Sequence, residues 1–286
     1  MAKHGRPANT LTRKDGRPSR RDFLAGLGTA GMVASTVRLD ALAQAGGSSI
    51  KLLNGRDLTG WYLYIIGQGR NNDPKKVFAV EDGMLHISGE QVGALITEKE
   101  YSNYRVVVEY KWGARMWPPR EKDAMDGGLM LHCGEKDAAV VNMWPRSIQC
   151  QIYQGSVGDF VLLAGDEPIR ATIEGEEKGR VFNHIPGAPA MVREAGVGNK
   201  KFDIINHYGK DPNWKNEKGF FNPSDAEKPH GEWNTMEVIA KGDTLTCNVN
   251  GRTVNKATAL NLTRGRIGLQ SEMGEMYIRR MELFPL

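Results

Sequence analysis

Residues 126–160, DGGLMLHCGEKDAAVVNMWPRSIQCQIYQGSVGDF, hold the side chains best suited to chemistry. They read as two strands joined by a loop bearing Trp144, Pro145 and Arg146. In the first strand Leu129, Leu131 and Cys133 alternate with Gly128, Met130 and His132. In the second, Ile148, Cys150 and Ile152 alternate with Ser147, Gln149, Gln151 and Tyr153. Side chains on a strand alternate faces with period two. One face is therefore apolar and core-seeking, while the other gathers His132, Gln149, Gln151 and Tyr153. A histidine can move protons near neutral pH, and amides and a phenol can bond ligand hydroxyls. The same polar face also suits plain contact with water. In residues 266–272, Ile267 and Leu269 point one way and Gln270 and Glu272 the other, which places Gln270 and Glu272 beside His132 and Gln151.

The elements that must position these residues read as strands throughout. Asp82-Gly83 and Asn250-Gly251 supply the positive φ that two-residue hairpin loops need. Residues 104–112, YRVVVEYKW, are rich in β-branched and aromatic side chains, as strands are. Short strands with Gly-containing turns and little helical periodicity argue for an all-β sandwich. Between residues 164 and 229 the pattern loosens into Gly, Pro, Asn and charged residues, with His184, His207, Tyr208, Trp214, Phe220 and Phe221. Such a long loop-rich insertion is either packed on its own aromatics or forms a rim over a binding face.

Ser19-Arg20-Arg21-Asp22-Phe23-Leu24 is a twin-arginine pattern, followed by a weakly apolar run over residues 23–37 and a small-residue cleavage site at Ala43-Gln44-Ala45. The run is too short to span a membrane. Residues 1–45 are expected to be a removable export leader, and residues 46–286 a single domain acting in the periplasm or outside the cell. The leader's eight Lys/Arg against three acids give it +5 of the chain's formal +4, so the remaining residues carry a net −1. The basic balance belongs to the leader and gives no support for a nucleic-acid partner or, once it is removed, a membrane. Cys133, Cys150 and Cys247 are an odd number. A Cys133–Cys150 bridge across neighbouring strands is one reading, and buried free thiols the favoured one.

The ordered series LLNGRDLTGW, VEDGMLHI, DGGLMLHC, SIQCQIYQGSVGDF, PHGEWNTMEVIAKGDT, VNG and GRIGLQSEMGEMYIRRMELFPL resembles the DUF1080 family, the 3-keto-disaccharide hydrolase domain, over essentially all of residues 46–286. The resemblance implies a concanavalin A-like jelly-roll β-sandwich whose concave face takes a sugar, and action on glycosides already oxidised to a ketone at C3. Similar members often read Ser-Ile/Val-Glu-x-Gln where this chain has Ser147-Ile148-Gln149-Cys150-Gln151. A glutamine can neither accept a proton nor carry charge as a glutamate does. Members also more often have Asp/Asn-Ser-Gly where this chain has Asp126-Gly127-Gly128.

A 3-keto group acidifies the proton on C2 and sets the C1 aglycone β to the carbonyl. A base can take that proton, expel the C1 oxygen and leave an enone to which water adds. The chemistry requires a base near neutral pKa, an enolate stabiliser and an acid for the leaving group. With the resemblance in hand, the expected catalytic residues are His132, Asp159 and Glu272. Gln149, Gln151, Asn234 and Gln270 suit hydroxyl recognition, Trp144 or Tyr153 suits stacking on the sugar, and His207 of the loop-rich insertion is expected to bind substrate as well. A divalent cation held by some of these could stabilise the enolate, although no compact metal signature is present. The alternative is a carbohydrate-binding module using the same face without catalysis.

Overall fold

The computed structural model describes residues 48–179 and 181–286, so the expected export leader lies outside the described residues. The chain enters through β1 (Ile50–Lys51), β2 (Trp61–Ile65), β3 (Gly69–Arg70), β4 (Phe78–Glu81), β5 (Met84–Ile87) and β6 (Gly93–Thr97). The central strands are β7 (Tyr104–Met116), β8 (Asp126–Cys133), β9 (Ser147–Tyr153) and β10 (Phe160–Leu163). There follow β11 (Ile169–Lys178), β12 (Val181–His184), β13 (Ala190–Ala195) and β14 (Phe202–Asn206). The chain closes with β15 (Asn234–Lys241), β16 (Thr244–Val249), β17 (Arg252–Ala257), β18 (Arg266–Ser271) and β19 (Gly274–Pro285). No helix among the described residues is long and apolar enough to cross a membrane.

These strands form two sheets, and the all-β sandwich expected from the sequence is what the chain adopts. The smaller sheet runs β17-β16-β15-β7-β19-β5-β4, with β1 on β19; the larger runs β13-β11-β12-β14-β10-β9-β8-β18-β6-β2-β3. Tight loops at Asp82-Gly83 and Asn250-Gly251 carry positive φ at all four residues and fix the β4–β5 and β16–β17 registers, as their side chains allow. Alternation along β7 sends Val106, Val108, Tyr110 and Trp112 inward against Leu129, Leu131, Ile148, Cys150 and Ile152 of β8 and β9. Fully burying each aliphatic side chain contributes about 1.5–3 kcal/mol.

A second apolar cluster lies on the opposite, outer face of the larger sheet, where Tyr62, Ile96, Met130, Val161 and Leu163 pack under Val140 and Trp144. Trp144, expected to stack on a sugar, is instead buried in this cluster. All three cysteines are buried and free. Cys150 belongs to the inner core and Cys133 to the outer cluster, so the bridge between them does not form.

Residues 164–229 are more regular than the sequence suggested. They supply β11 to β14, which lengthen the larger sheet by four strands. Arg193 grips Asp203 through two bonds of 2.9 Å between β13 and β14 and lies over the Phe182 ring. The following loop is anchored deep in the sandwich. Glu227 accepts hydrogen bonds from Tyr110 Oη at 3.0 Å and Trp112 Nε1 at 2.8 Å, and burial pushes its carboxyl up to about 7 against those donors.

Candidate active site

Three rows of side chains cross the outer face of the larger sheet at the β9 end. The first is Val181, Ile204, Val161 and Gln149, and the second is Asn183, Asn206, Asp159, Gln151, Gly128 and Gln270. The third begins with Tyr153 opposite Asp126 and continues to Glu272 beyond β18. A cavity of about 760 Å³ lies over the β9 side of these rows. The segment 164–229 supplies most of its lining, including Asn183, Ile204, His207, Lys210 and Trp214. That segment therefore forms a rim.

Next to Tyr153, just outside the cavity lining, stands an acidic pair joined by a guanidinium. Arg120 follows Pro118-Pro119 in the loop before β8, and its Nη1 donates to Asp126 Oδ2 and Glu272 Oε1, each at 3.0 Å. Its Nε reaches Asp123 Oδ2 at 3.2 Å and its Nη2 reaches Tyr153 Oη at 3.3 Å. Asp126 Oδ1 is buried without a hydrogen-bond partner. Burial pushes Asp126 up to about 6 although Arg120 pulls the other way. Burial, then the charge of Asp126, push Glu272 up to about 8. Two carboxyls whose environments separate their protonation suit opposite roles at neutral pH.

On the other side, Asp159 accepts from His207 N at 2.8 Å, His207 Nδ1 at 2.7 Å and Lys210 Nζ at 2.6 Å. Burial opposes ionisation of Asp159, but Lys210 and His207 outweigh it and hold the carboxyl below its ordinary value. Lys210 also donates to Asn206 Oδ1 at 3.0 Å and lies over the Trp214 ring, which meets Tyr153 edge-on. Between Asp159 and Asp126 lie two strand spacings and one same-face step, about 12 Å of backbone at roughly 4.8 Å and 6.7 Å respectively. Gln151 lies between the two carboxyls.

The family described as 3-keto-alpha-glucoside-1,2-lyase-like domain matches residues 48–283. The chain belongs to this family. The chain is similar to two solved structures from Parabacteroides distasonis ATCC 8503, each described as a "putative glycosyl hydrolase". One is 18% identical, covers 83% of this chain and 94% of that chain, and has a TM-score of 0.46; the other is 16% identical, covers 84% and 100%, and scores 0.47. A Bacillus licheniformis beta-glucanase is 10% identical over 84% of this chain and 99% of its own, with a TM-score of 0.42. No curated protein matches the chain by sequence.

The fold brings Gln151, Tyr153, Asp159 and His207 into the cavity lining, while Glu272 lies outside it and shares Arg120 with Tyr153. It does not bring His132 there. His132 adopts φ +55 where the β8–β18 register slips, so it and Cys133 exchange the faces that strict alternation assigns. Gly265 permits this bulge, since a Cβ there would meet the His132 backbone at 2.5 Å. The imidazole is 2% exposed, meets Tyr104 edge-on between the sheets, and bonds Leu262 O through Nδ1 at 3.0 Å. Burial lowers its pKa to about 4. It cannot serve as a base on the outer face.

Asn234 starts β15 in the smaller sheet, where its Oδ1 accepts from Lys228 N and Asn250 Nδ2, so it too is remote from the cavity. Gln149 and Gln270 are on the expected face but are buried and spend their amides on each other. Gln149 Nε2 donates to Gln270 Oε1 at 2.8 Å, and Gln270 Nε2 returns a bond of 3.3 Å. Sequence reasoning missed Arg120, Asp126 and Lys210. The β8 alternation extended two residues back from Gly128 would have found Asp126, whereas Arg120 and Lys210 lie in loops and leave no periodic signal. The donor set does not suit the divalent cation raised above. Among the described residues no three His, Cys, Asp or Glu side chains converge as ligands, and where Asp126 and Glu272 do converge, Arg120 already stands between them. No step is assigned to a metal.

Proposed function

We propose that this lyase-like domain cleaves 3-keto-glycosides by proton abstraction at C2, elimination at C1 and hydration, after export through the twin-arginine route. The observation that carries the reading is the Arg120-bridged pair of Asp126 and Glu272, tied through Arg120 to the cavity-lining Tyr153, with protonation split around neutral pH. The ring lies over Gln151. Asp126, the more readily ionised partner, takes the C2 proton. Glu272, protonated, donates a hydrogen bond to the C3 oxygen as it gains enolate charge, and Arg120 supplies fixed positive charge beside it. The C1–oxygen bond breaks as Lys210, oriented by Asp159, donates a proton to the departing oxygen. Water then adds across C1 and C2, its hydroxyl to C1 and a proton to C2, so the sum is hydrolysis. Asp159 is here a positioning residue, where the sequence reading made it catalytic.

The test incubates the purified protein with a 3-keto-glucoside and with its parent glucoside. Release of aglycone from the keto substrate alone, lost in Asp126→Asn and Glu272→Gln, is the expected result. Turnover of both substrates at similar rates would overturn the elimination scheme. Saturable sugar binding without turnover would make the chain a binding module.

A further inference from the structure

The cavity is longer than a sugar ring requires. From Gln151 on β9 it extends past β10, β14 and β12 to Lys178 on β11, four strand spacings or about 19 Å at roughly 4.8 Å each. The proposed reaction accounts for the end near Gln151 and Tyr153. The far end is unassigned, and its chemistry differs.

Its polar row is already occupied with itself. Asn206 Nδ2 donates to Asn183 Oδ1 at 3.0 Å while Asn206 Oδ1 takes Lys210, and Asp159 is filled by Lys210 and His207. The adjacent row offers apolar surface in its place. Val181 and Ile204 are neighbours on the parallel pair β12–β14, both face the cavity, and they are 44% and 43% exposed. Phe202, two residues before Ile204 on the same face, is 46% exposed, and Tyr208, also in the cavity lining, is exposed. A β-branched pair left open to water inside a cavity is an apolar subsite without its ligand. The charged side chains at that end, Glu176 and Lys178 of β11, are paired with each other at 2.7 Å beside this apolar floor.

We infer that this far end is the leaving-group subsite and that it takes a flat apolar aglycone, an aryl group, with Val181 and Ile204 as its floor. The inference rests on the 3-keto-glycoside reading for its place in the reaction. In that frame the glycosidic oxygen falls between Gln151 and Lys210, and the aglycone continues over Ile204 toward Val181.

Three measurements on the full protein test it, using Ile204→Asn and Val181→Asn, both at solvent-facing strand positions. For a phenyl 3-keto-glucoside each substitution lowers kcat/KM about tenfold, the scale of a lost apolar contact. For a 3-keto-disaccharide it changes kcat/KM less than about twofold, and wild type prefers the phenyl substrate. Phenol alone, titrated without any keto sugar, binds wild type and binds Ile204→Asn more weakly. If no 3-keto-glycoside turns over but phenol still binds in an Ile204-dependent way, the reaction reading fails and the subsite stands. If keto-glycosides turn over but both substitutions affect the two substrates equally, or phenol binding ignores Ile204, the subsite is overturned and the reaction reading stands.

Discussion

Glu227 gives the sharpest energetic prediction because its cost is set by burial and its removal leaves the cavity lining untouched. The side chain descends from the loop between β14 and β15 and accepts bonds from Tyr110 and Trp112 inside the sandwich. Burial dominates and raises the carboxyl from its ordinary 4.5 to about 7. The folded chain therefore holds a proton that the unfolded chain releases above about pH 4.5, and stability falls as pH rises until the folded carboxyl also ionises near 7. At roughly 1.4 kcal/mol per pH unit the loss sums to about 3 kcal/mol. Glu227→Gln keeps an acceptor for Tyr110 and Trp112 but cannot ionise. Urea unfolding of both proteins between about pH 5 and about pH 8 reads the difference directly. The variant gains on wild type by about 3 kcal/mol across the window and by nothing further above about pH 7. Curves that stay parallel from acid to neutral pH would refute the reasoning.

Activity on a 3-keto-glucoside follows a bell that rises through about pH 6 and falls through about pH 8, matching Asp126 and Glu272. Glu272→Gln lowers kcat by about 10²–10⁴ and removes the alkaline limb, and a pH–rate profile measures both. Lys210→Met slows substrates with basic leaving groups far more than those with acidic phenols, as a plot of rate against leaving-group pKa would show. His132→Phe leaves kcat/KM within about twofold and costs about 1 kcal/mol for the lost bond to Leu262, read from turnover and urea midpoints. Gln149→Glu sets two acceptors face to face at Gln270 and destabilises by about 1–3 kcal/mol, read from the same midpoints.

Much of the fold was legible because its signals are local. Asp82-Gly83 and Asn250-Gly251 fix hairpins by backbone sterics alone, and the alternation in residues 104–112 marks a strand without reference to its neighbours. Strand β11 carries the same alternation, Ile169, Ala171 and Ile173 against Arg170, Thr172 and Glu174, but its charged face makes it read as part of a loop-rich insertion. The site was harder. A bulge shifts every later residue by one face, and nothing at His132 announces it; the cause is Gly265, 133 residues along the chain and visible only once β18 lies beside β8. Alternation placed Gln151, Tyr153 and Glu272 on the outer face because the extra residue of the bulge lies on β8, so neither β9 nor β18 is shifted. The rim residues His207 and Lys210 depend on how a loop folds back over Asp159, which is a tertiary fact.

Gly128 explains why a glutamine at position 149 is compatible with chemistry nearby. Strand β8 runs between β9 and β18, and an ordinary side chain at position 128 would stand between Gln149 and Gln270. A Cβ there would lie 2.5 Å from both Gln149 Nε2 and Gln270 Oε1. With glycine, the two amides meet over the middle strand, and each supplies the other's donor and acceptor. A buried glutamate at 149 would oppose Gln270 Oε1 with a second acceptor and bring a charge that no cation there neutralises. The neutral pair satisfies the floor and leaves ionisable carboxyls to the third row, where Arg120 compensates Asp126 and Glu272. Position 149 is therefore part of the neutral support of the sheet's outer face, two rows from the carboxyls to which the proposed reaction assigns proton transfer.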